Sequence, residues 1–433
     1  MGAFRLPVGR MTDLPRPPPI RVTDLADPEF SAGAKAKIDA MSALAPALRL
    51  EPEPLCAQAI AETGLHDFGD EGFRDRLALL ARALREEADL SPAGVVMVYG
   101  QIVTWLKNRL LMQDLLNRHP EIAAIKVERP IVVVGMPRSG TTHLHNLMSV
   151  DPAIRTLPFW EACEPFPSES ERLERGAADP RRERCAQGVA ELHTLLPYFR
   201  NMHEVDVDFV EEEFMLMQMD FATNVIETMS LMPSYRDWYK ATDQTPHYAF
   251  LRHTMAALQW FRDGRWLLKC QQHLEQLQPV LNVFPDSTFI FTHRDPVAVV
   301  ASAVTMLAYR ARLFNRKVDP VRIGAYWVDR IESLLRGVVR DHALAPPARS
   351  LHVHFKEFMA DDVAMVKRIY ACANQPFTEQ VQSAMHAYMK THPRGRFGRI
   401  VYNMGDFELD PLVLRERFRF YTDYFDVDLE RST

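Results

Sequence analysis

The segment from Ile131 to Thr142 constrains the fold of this chain more than any other part of its sequence. It begins with an apolar, β-branched run that ends at Val134, which is typical of a strand buried on both faces of a parallel sheet. Gly135 follows at once, and a helical pattern starts at Thr141. A buried strand that passes through a glycine-containing turn into a helix predicts an α/β core.

Three further short apolar runs predict strands of the same sheet: Trp266–Leu268, Thr288–Thr292 and Leu351–Phe355. Helical segments separate them, which indicates an α/β fold with a P-loop-type parallel sheet flanked by helices. The helix-rich stretch from about 183 to 261 is too long for a plain crossover between two strands. We therefore interpret it as an inserted helical cap.

The sequence ahead of the first strand carries no chemical motif. Residues 1–30 are rich in proline and are expected to form an extended arm. A helical pattern follows, in which Ser91-Pro92 is typical of an N-cap and a first helical proline. The predicted organisation is an arm and helical region over 1–128 and an α/β domain with its cap over 129–433.

The composition is that of an ordinary folded protein. The 433 residues include 25% charged and 47% hydrophobic residues, which excludes a largely disordered chain. The net charge of −6 argues against a nucleic-acid coat protein, because binding many phosphates requires a basic field. The five cysteines are odd in number and far apart, which favours neither a disulfide framework nor a metal site. We see no signal-like N-terminus and no apolar run of bilayer length, and so expect a cytoplasmic protein without a membrane span.

The turn after the first strand has the spacing of a phosphate-binding loop. Gly135 and Gly140 lie five residues apart, and hydroxyl residues follow the second glycine. Backbone N–H groups of such a loop and of the following helix bind anions. Thr141 stands where a nucleotide-hydrolysing P-loop has lysine, and the cation is instead Arg138, inside the loop. This argues against a Mg-dependent NTPase or kinase; a turn without a ligand is the alternative.

The hexapeptide Pro-Arg-Ser-Gly-Thr-Thr after this strand resembles the 5′-phosphosulfate loop of sulfotransferases that use 3′-phosphoadenylyl sulfate (PAPS). Its arginine resembles the tyrosylprotein and bacterial branches of that family. The resemblance implies PAPS as co-substrate, no metal, and donor contacts from the whole hexapeptide: Pro137, Arg138, Ser139, Gly140, Thr141 and Thr142.

A second motif is similar to the 3′-phosphate site of the same family. The strand over Thr288–Thr292 leads into His293-Arg294-Asp295, and Ser302 follows Arg294 by eight residues. Guanidinium offers a planar fork to phosphate, and a hydroxyl adds one donor. A kinase catalytic loop would need asparagine where Val300 stands. A structural pair between Arg294 and Asp295 is the other alternative.

Two weaker motifs complete the resemblance. Lys269 stands at a strand end, as in the family, but Cys270-Gln271 follows it where related sequences have Ser, Thr or Asp and then Pro. Near the C-terminus, three arginines lie within the six residues of Arg394–Arg399, a basic patch that suits a ligand with several negative charges. The resemblance implies that this segment covers the 3′-phosphate through Arg396, Gly398 and Arg399; a solvated charge cluster is the alternative.

Sulfuryl transfer requires cations near the transferred group and a base near the acceptor hydroxyl. Arg138 and Lys269 are the candidate cations. Glu161, which lies twenty-three residues after Arg138, is the base that the resemblance implies, and His203 and Glu212 are alternatives. Met and aromatic side chains of the cap are usually core, but they could equally line an apolar acceptor pocket.

These observations predict a sulfotransferase that moves a sulfuryl group from PAPS to the hydroxyl of a small-molecule, carbohydrate or lipid-like acceptor by in-line displacement with a carboxylate base. A P-loop kinase acting on a small molecule is one alternative and would require Mg-dependent nucleotide binding. A nucleotide-binding protein without catalysis is the other. It would keep the phosphate motifs and tolerate the loss of every candidate base.

Overall fold

The computed structural model describes residues 18–171 and 179–430. Its strands are β1 (Ile131–Gly135), β2 (Ile154–Arg155), β3 (Leu157–Pro158), β4 (Val210–Glu211), β5 (Arg265–Lys269), β6 (Thr288–His293) and β7 (Ser350–His354). Five of them form one parallel sheet in the order β2-β5-β1-β6-β7. This confirms the predicted α/β fold with a parallel sheet flanked by helices. The predicted strand at 351–355 ends one residue early, because Phe355 begins a helix.

Eighteen α-helices surround the sheets within the described residues. Those before and just after β1 are α1 (Ala32–Ser42), α2 (Pro52–Thr63), α3 (Phe73–Glu86), α4 (Pro92–Arg118), α5 (Thr141–Met148) and α6 (Phe159–Cys163). Those up to β5 are α7 (Pro180–Leu195), α8 (Phe199–Met202), α9 (Phe214–Met217), α10 (Pro233–Ala241) and α11 (Thr245–Gln259). The remaining helices are α12 (Leu277–Val283), α13 (Pro296–Phe314), α14 (Pro320–Asp341), α15 (Phe355–Ala360), α16 (Asp362–Cys372), α17 (Glu379–Thr391) and α18 (Pro411–Tyr424).

The register of the central strands decides which residues meet. Val133 of β1 lies opposite Lys269 of β5 on one side and opposite Ile290 of β6 on the other. Because the three strands are parallel, their carboxyl ends lie at one edge of the sheet. The turns that follow β1, β5 and β6 therefore converge there, which is where ligands bind in open α/β sheets.

The N-terminal region pairs with the far end of the chain. Pro15 and Pro17 of the predicted arm lie outside the described residues. Just after them, the backbone N–H of Ile20 donates to the carbonyl of Arg399, and the N–H of Val401 donates to the carbonyl of Ile20, both at 2.8 Å. The backbone at Ile20 thereby holds the segment that follows α17. The proposed boundary between 128 and 129 remains a prediction.

Helix α4 begins as its sequence predicts. The hydroxyl of Ser91 accepts a 2.9 Å hydrogen bond from the N–H of Gly94, and Pro92 occupies the first turn, where its missing N–H costs no hydrogen bond. The helix ends at Arg118, ahead of Pro120. Helix α4 packs against α2, α11 and α13, so the N-terminal helices share the main apolar core with the sheet domain.

The stretch between α6 and β5 is mostly helical, but it is not a purely helical cap. Strand β4 pairs antiparallel with β3 to make a second, two-stranded sheet. Four of the cap's Met and aromatic side chains are fully buried in the core: Met217, Met219, Tyr235 and Tyr239. These four are therefore packing residues, whereas Phe199, Met202, Phe209 and Phe214 of the cap line the cavity described below.

Helix α13 is the one described helix that is long and apolar enough to cross a membrane by length and composition. In the structure most of it is buried, and it packs against α4, α14 and α18. The expectation that the chain has no membrane span remains a prediction.

A buried ionic cluster ties the N-terminal helices to the cap. The carboxylate of Asp220 accepts from Arg109 of α4 at 3.0 Å, lies 2.6 Å from Nδ1 of His247 of α11, and also pairs with Arg76 of α3. Burial would raise the pKa of Asp220, but His247 and the two guanidinium groups hold it below its ordinary value. The side chains of Arg109 and Asp220 are only 2% and 5% exposed, so neither charge has water to replace a lost partner.

We expect Asp220→Asn to lower the free energy of unfolding by about 3–5 kcal/mol, because it leaves Arg109 buried without a counter-charge. The measurement is the denaturant dependence of unfolding, compared with the wild-type protein. Arg182→Gln is the control, since it removes an ion pair with Asp208 whose side chains are 44% and 62% exposed. That loss should cost less than about 1 kcal/mol. Equal midpoints for the two variants would contradict the structural role of Asp220.

Candidate functional site

A cavity of about 440 Å³ opens at the carboxyl edge of β1, β5 and β6. The loop between β1 and α5 forms one wall of the cavity. The others come from the segment around α8, from the carboxylates at the end of β4 in the second sheet, from α13, and from the turn after α17. Of the residues predicted for the site, the cavity is lined by Pro137, Arg138, Gly140, Thr142, His203, Arg294, Arg396 and Gly398.

The phosphate loop is held in an unusual backbone conformation. Arg138 has φ +69° and Gly140 has φ +88°, both in the left-handed region that is costly for any residue other than glycine. The hydroxyl of Ser139 donates to the carbonyl of Met136 at 2.6 Å and lies 2.9 Å from Oγ1 of Thr292 in β6. Thr141 begins α5, whose free N–H groups face the loop as in an anion-binding helix start.

Arg138 joins the loop to two other walls of the cavity. Its Nε donates to the hydroxyl of Ser302 on α13 at 2.9 Å, and one of its Nη groups donates to the carbonyl of Met202 at the end of α8. Ser302, expected at a 3′-phosphate, therefore contacts the loop arginine. The structure thus brings the two most specific motifs of the sequence together.

Arg294 is held by a carboxylate from the end of the chain. Its Nε and one Nη donate to the two oxygens of Glu430 at 2.6 and 2.9 Å, a bidentate arrangement that phosphate also accepts. Its other Nη donates to the carbonyl of Arg138, and its Cζ lies 4.0 Å from the ring centre of Phe355. Asp295 instead caps α13 and accepts from the N–H of Glu430, so the alternative pair of Arg294 with Asp295 is not formed.

Lys269 reaches the phosphate loop from the end of β5. Its Nζ pairs with Glu212 and lies 3.4 Å from Oγ1 of Thr142, the second residue of α5. The side chain is 4% exposed, so it is not a solvated surface lysine. The atypical residues after it divide their roles: Cys270 is buried in the core, whereas Gln271 lines the cavity.

Three consecutive glutamates stand at the end of β4, and their surroundings differ. Glu211 is the last residue of the strand, and Glu212 and Glu213 follow it. Burial raises the pKa of Glu212 above its ordinary value, against the opposing charge of Lys269. Burial would also raise the pKa of Glu211, but His203, whose Nε2 lies 3.5 Å from Oε1 of Glu211, holds it below that value. Glu213 accepts from the backbone N–H of Lys269 at 2.8 Å and is a structural residue beneath the site.

Glu161 does not reach the cavity, contrary to the expectation from its position after the loop. Its carboxylate accepts from Nη2 of Arg155 at 2.8 Å, and the side chain of Arg155 is fully buried, with its Cζ 4.7 Å from the ring centre of Trp266. Glu161 is absent from the described residues that line the cavity. A buried guanidinium requires a counter-charge, and Glu161 supplies it.

The arginine-rich segment after α17 contributes unequally. Arg394 pairs with Asp362, which also lies 3.0 Å from Nε2 of His143, and Arg396 pairs with Glu204. Arg394 and Arg396 line the cavity, but Arg399 is absent from its described lining and is exposed. The structure therefore brings two of the three arginines to the site.

Residues 130–379 match the family model described as the sulfotransferase family, which spans more than half of the chain. The chain belongs to the sulfotransferase family. Its structure is similar to that of sulfotransferase STF9 from Mycobacterium avium, with 26% identity, a TM-score of 0.79, and coverage of 88% of this chain and 98% of that one. It is also similar to sulfotransferase STF1 from Mycobacterium tuberculosis H37Rv, with 27% identity, a TM-score of 0.74, and coverage of 84% and 97%. No curated protein matches the sequence significantly.

The glycine at the end of β1 allows a prediction about the sulfotransferase loop. A Cβ on Gly135 would lie 1.8 Å from Oγ1 of Thr292, the same hydroxyl that contacts Ser139. We expect Gly135→Ala to cost about 1–3 kcal/mol of stability by overpacking. Gly100→Ala is the control: Gly100 lies in α4 with nothing within 4 Å of the added Cβ, so alanine should stabilise the protein. Unchanged denaturation of Gly135→Ala would show that the loop does not need this close approach.

Proposed function

We propose that the protein transfers a sulfuryl group from PAPS to the hydroxyl of a small-molecule, carbohydrate or lipid-like acceptor. The observation that carries this proposal is the convergence of three cations, Arg138, Lys269 and Arg294, around the loop between β1 and α5 at the carboxyl edge of the sheet. Membership of the sulfotransferase family supports sulfuryl transfer in general. The donor, the acceptor class and the roles below are inferences from the residues.

The residues present suit a donor with phosphate groups at two ends. The loop N–H groups, Thr142 and Lys269 would hold the 5′-phosphosulfate, where negative charge develops on the leaving oxygen. Arg294 would hold the 3′-phosphate with the same two N–H groups that now donate to the carboxylate of Glu430. Arg396 would add a further cation, since its Nε is buried without a hydrogen-bond partner in the described structure.

Glu212 is the cavity residue best placed to remove the acceptor's proton. It lines the cavity, its pKa is raised by burial, and its partner Lys269 lies beside the start of α5. If Lys269 turns to the donor, Glu212 loses its counter-charge and becomes a stronger base near neutral pH. His203 is the alternative base, because the buried carboxylate of Glu211 could orient its ring.

The in-line reaction then needs little more from the protein than position and charge. The acceptor oxygen attacks sulfur while its proton passes to Glu212, and the bond from sulfur to the phosphate oxygen breaks. Arg138 and Lys269 offset the charge that spreads over the transferring group and the leaving phosphate. A kinase would instead have a lysine at the position of Thr141 and would use Mg²⁺.

We expect adenosine 3′,5′-bisphosphate to bind at least about tenfold more tightly than 5′-AMP, because hydrogen bonds between charged groups are worth about 1.5–3 kcal/mol. Titration calorimetry without metal measures both affinities. Glu430→Gln should strengthen binding of the bisphosphate and leave that of 5′-AMP unchanged, since only the 3′-phosphate competes with the carboxylate for Arg294. Glu416→Gln is the control: Glu416 lies on α18, fourteen residues before Glu430, and its side chain is 66% exposed. Equal affinities for the two nucleotides, or a strict Mg²⁺ requirement, would favour the kinase instead.

Glu212→Gln should lower kcat by about 10²–10⁴, the usual cost of losing a general base, with affinity for the bisphosphate preserved. In the wild-type enzyme, activity should fall as the pH drops through the raised pKa of Glu212, because the protonated carboxyl cannot accept the proton. His203→Gln and Glu161→Gln are tested in parallel, the latter after its folding has been verified by denaturation. A Glu212→Gln enzyme with the full rate would remove Glu212 from the mechanism. A loss of kcat in His203→Gln alone would identify His203 as the base. Activity retained in all three would point to another base, whereas nucleotide binding without any transfer by the wild-type protein would favour a binding protein.

A further inference from the structure

Helix α13 directs one stripe of side chains toward the site: Met306, Leu307 and Arg310 line the cavity, and Ser302 contacts the cavity residue Arg138. Ser302, Met306 and Arg310 recur every four residues, which places them on one side of a helix, and Leu307 lies beside Met306. The stripe begins at the donor end, because Ser302 contacts Arg138. It ends at Arg310, about 12 Å further along the axis at roughly 1.5 Å per residue.

Arg310 is a partly buried cation of the cavity with no carboxylate partner among residues 18–171 and 179–430. One of its Nη groups donates to the hydroxyl of Thr228 at 2.8 Å, and its Cζ lies 5.3 Å from the ring centre of Phe314. Burial lowers the pKa of Arg310 to about 10, and no nearby charge counteracts that effect. A desolvated guanidinium without a counter-charge is unfavourable unless a ligand supplies one.

The other cavity arginines have partners or solvent. Arg294, Arg394 and Arg396 pair with the carboxylates of Glu430, Asp362 and Glu204. Arg200 is exposed and stacks on a phenyl ring, and Arg138 belongs to the phosphate loop. Arg310 is thus set apart from the donor machinery by position as well as by its lack of a carboxylate.

The cavity that Arg310 lines also has apolar walls. The apolar side chains that line the cavity with Arg310 come from α8, α9, the cap and α13: Phe199, Phe214, Val225, Met306 and Leu307. An occupant that reaches Arg310 would therefore contact hydrocarbon as well as a hydrogen-bonded guanidinium.

We propose that the acceptor is an elongated amphipathic molecule with its hydroxyl near the donor and an anionic group, a carboxylate or a phosphate monoester, bound by Arg310. This inference rests on the proposed sulfotransferase function for the position of the hydroxyl. The anionic group accepts hydrogen bonds from the guanidinium of Arg310, and the hydrocarbon between the two ends of the acceptor contacts the apolar side chains of the cavity. Neutral sterols or sugars would leave the guanidinium uncompensated and bind more weakly.

The test uses matched probes: a chain-length series of ω-hydroxyalkanoic acids, the corresponding methyl esters, and ω-hydroxyalkyl phosphates. Binding to the protein saturated with adenosine 3′,5′-bisphosphate is measured by calorimetry, and transfer is measured with labelled PAPS. We expect the best acid or phosphate to bind at least about tenfold more tightly than its neutral counterpart, through a lower KM with kcat little changed. The acid and phosphate arms show which anion Arg310 prefers.

Arg310→Gln and Arg310→Met should abolish the preference for the charged probe and leave binding of the ester unchanged. Two variants are used because the test can be completed with either one, provided that it folds. The matched control is Arg316→Gln, which removes an arginine just beyond α13 whose side chain is 69% exposed and should keep the preference. Equal binding of acid, phosphate and ester, or a preference that survives loss of Arg310, would overturn the proposal. Anion-dependent binding without sulfate transfer to any probe would support the Arg310 site and count against the proposed reaction.

Discussion

The parallel pairing of β1 with β5 and β6 is the constraint on which the rest of the site depends. It brings the residues after three strands to one edge, so Arg138, Lys269 and Arg294 meet although 156 residues separate the first from the last. Three cations at close range would repel each other without partners. Glu212 and Glu430 supply two of those partners, and the third cation is held by a hydroxyl and a carbonyl.

The partner carboxylates also bear on how a site with several cations recognises its ligand. A guanidinium that pairs with carboxylate keeps its orientation, so the fork of Arg294 is preorganised for a second planar acceptor. Under the proposed function, a phosphate that replaces Glu430 would cost the protein one ion pair and gain another with more charge. Such binding would be selective, because an anion that cannot accept from both N–H groups of the fork would not replace Glu430.

Local sequence patterns predict the parts of this structure that depend on neighbours in the chain. The apolar run before Gly135 and the N-cap at Ser91 are such cases. The family resemblance pointed to Lys269 and Arg294, and both lie beside the loop between β1 and α5, while their roles stay predictions. The fate of Glu161 could not be predicted, because nothing in its spacing shows that Arg155 is buried beside Trp266 and takes its carboxylate. Contacts between distant residues, such as that of Glu430 with Arg294, have no local signal at all.

Helix α13 is one rigid element that carries residues at both ends of the proposed site. Arg294 lies two residues before it, its second turn carries Ser302, and its last two turns carry Arg310, while its other faces pack against α4, α14 and α18. Because a buried helix cannot slide without breaking that packing, the separation between the donor end and the far end of the cavity is set by helix rise rather than by loop conformation. Differences in acceptor size between related enzymes are then expected to arise from the side chains of this stripe and from the cap that faces it, since these can change without moving the donor site.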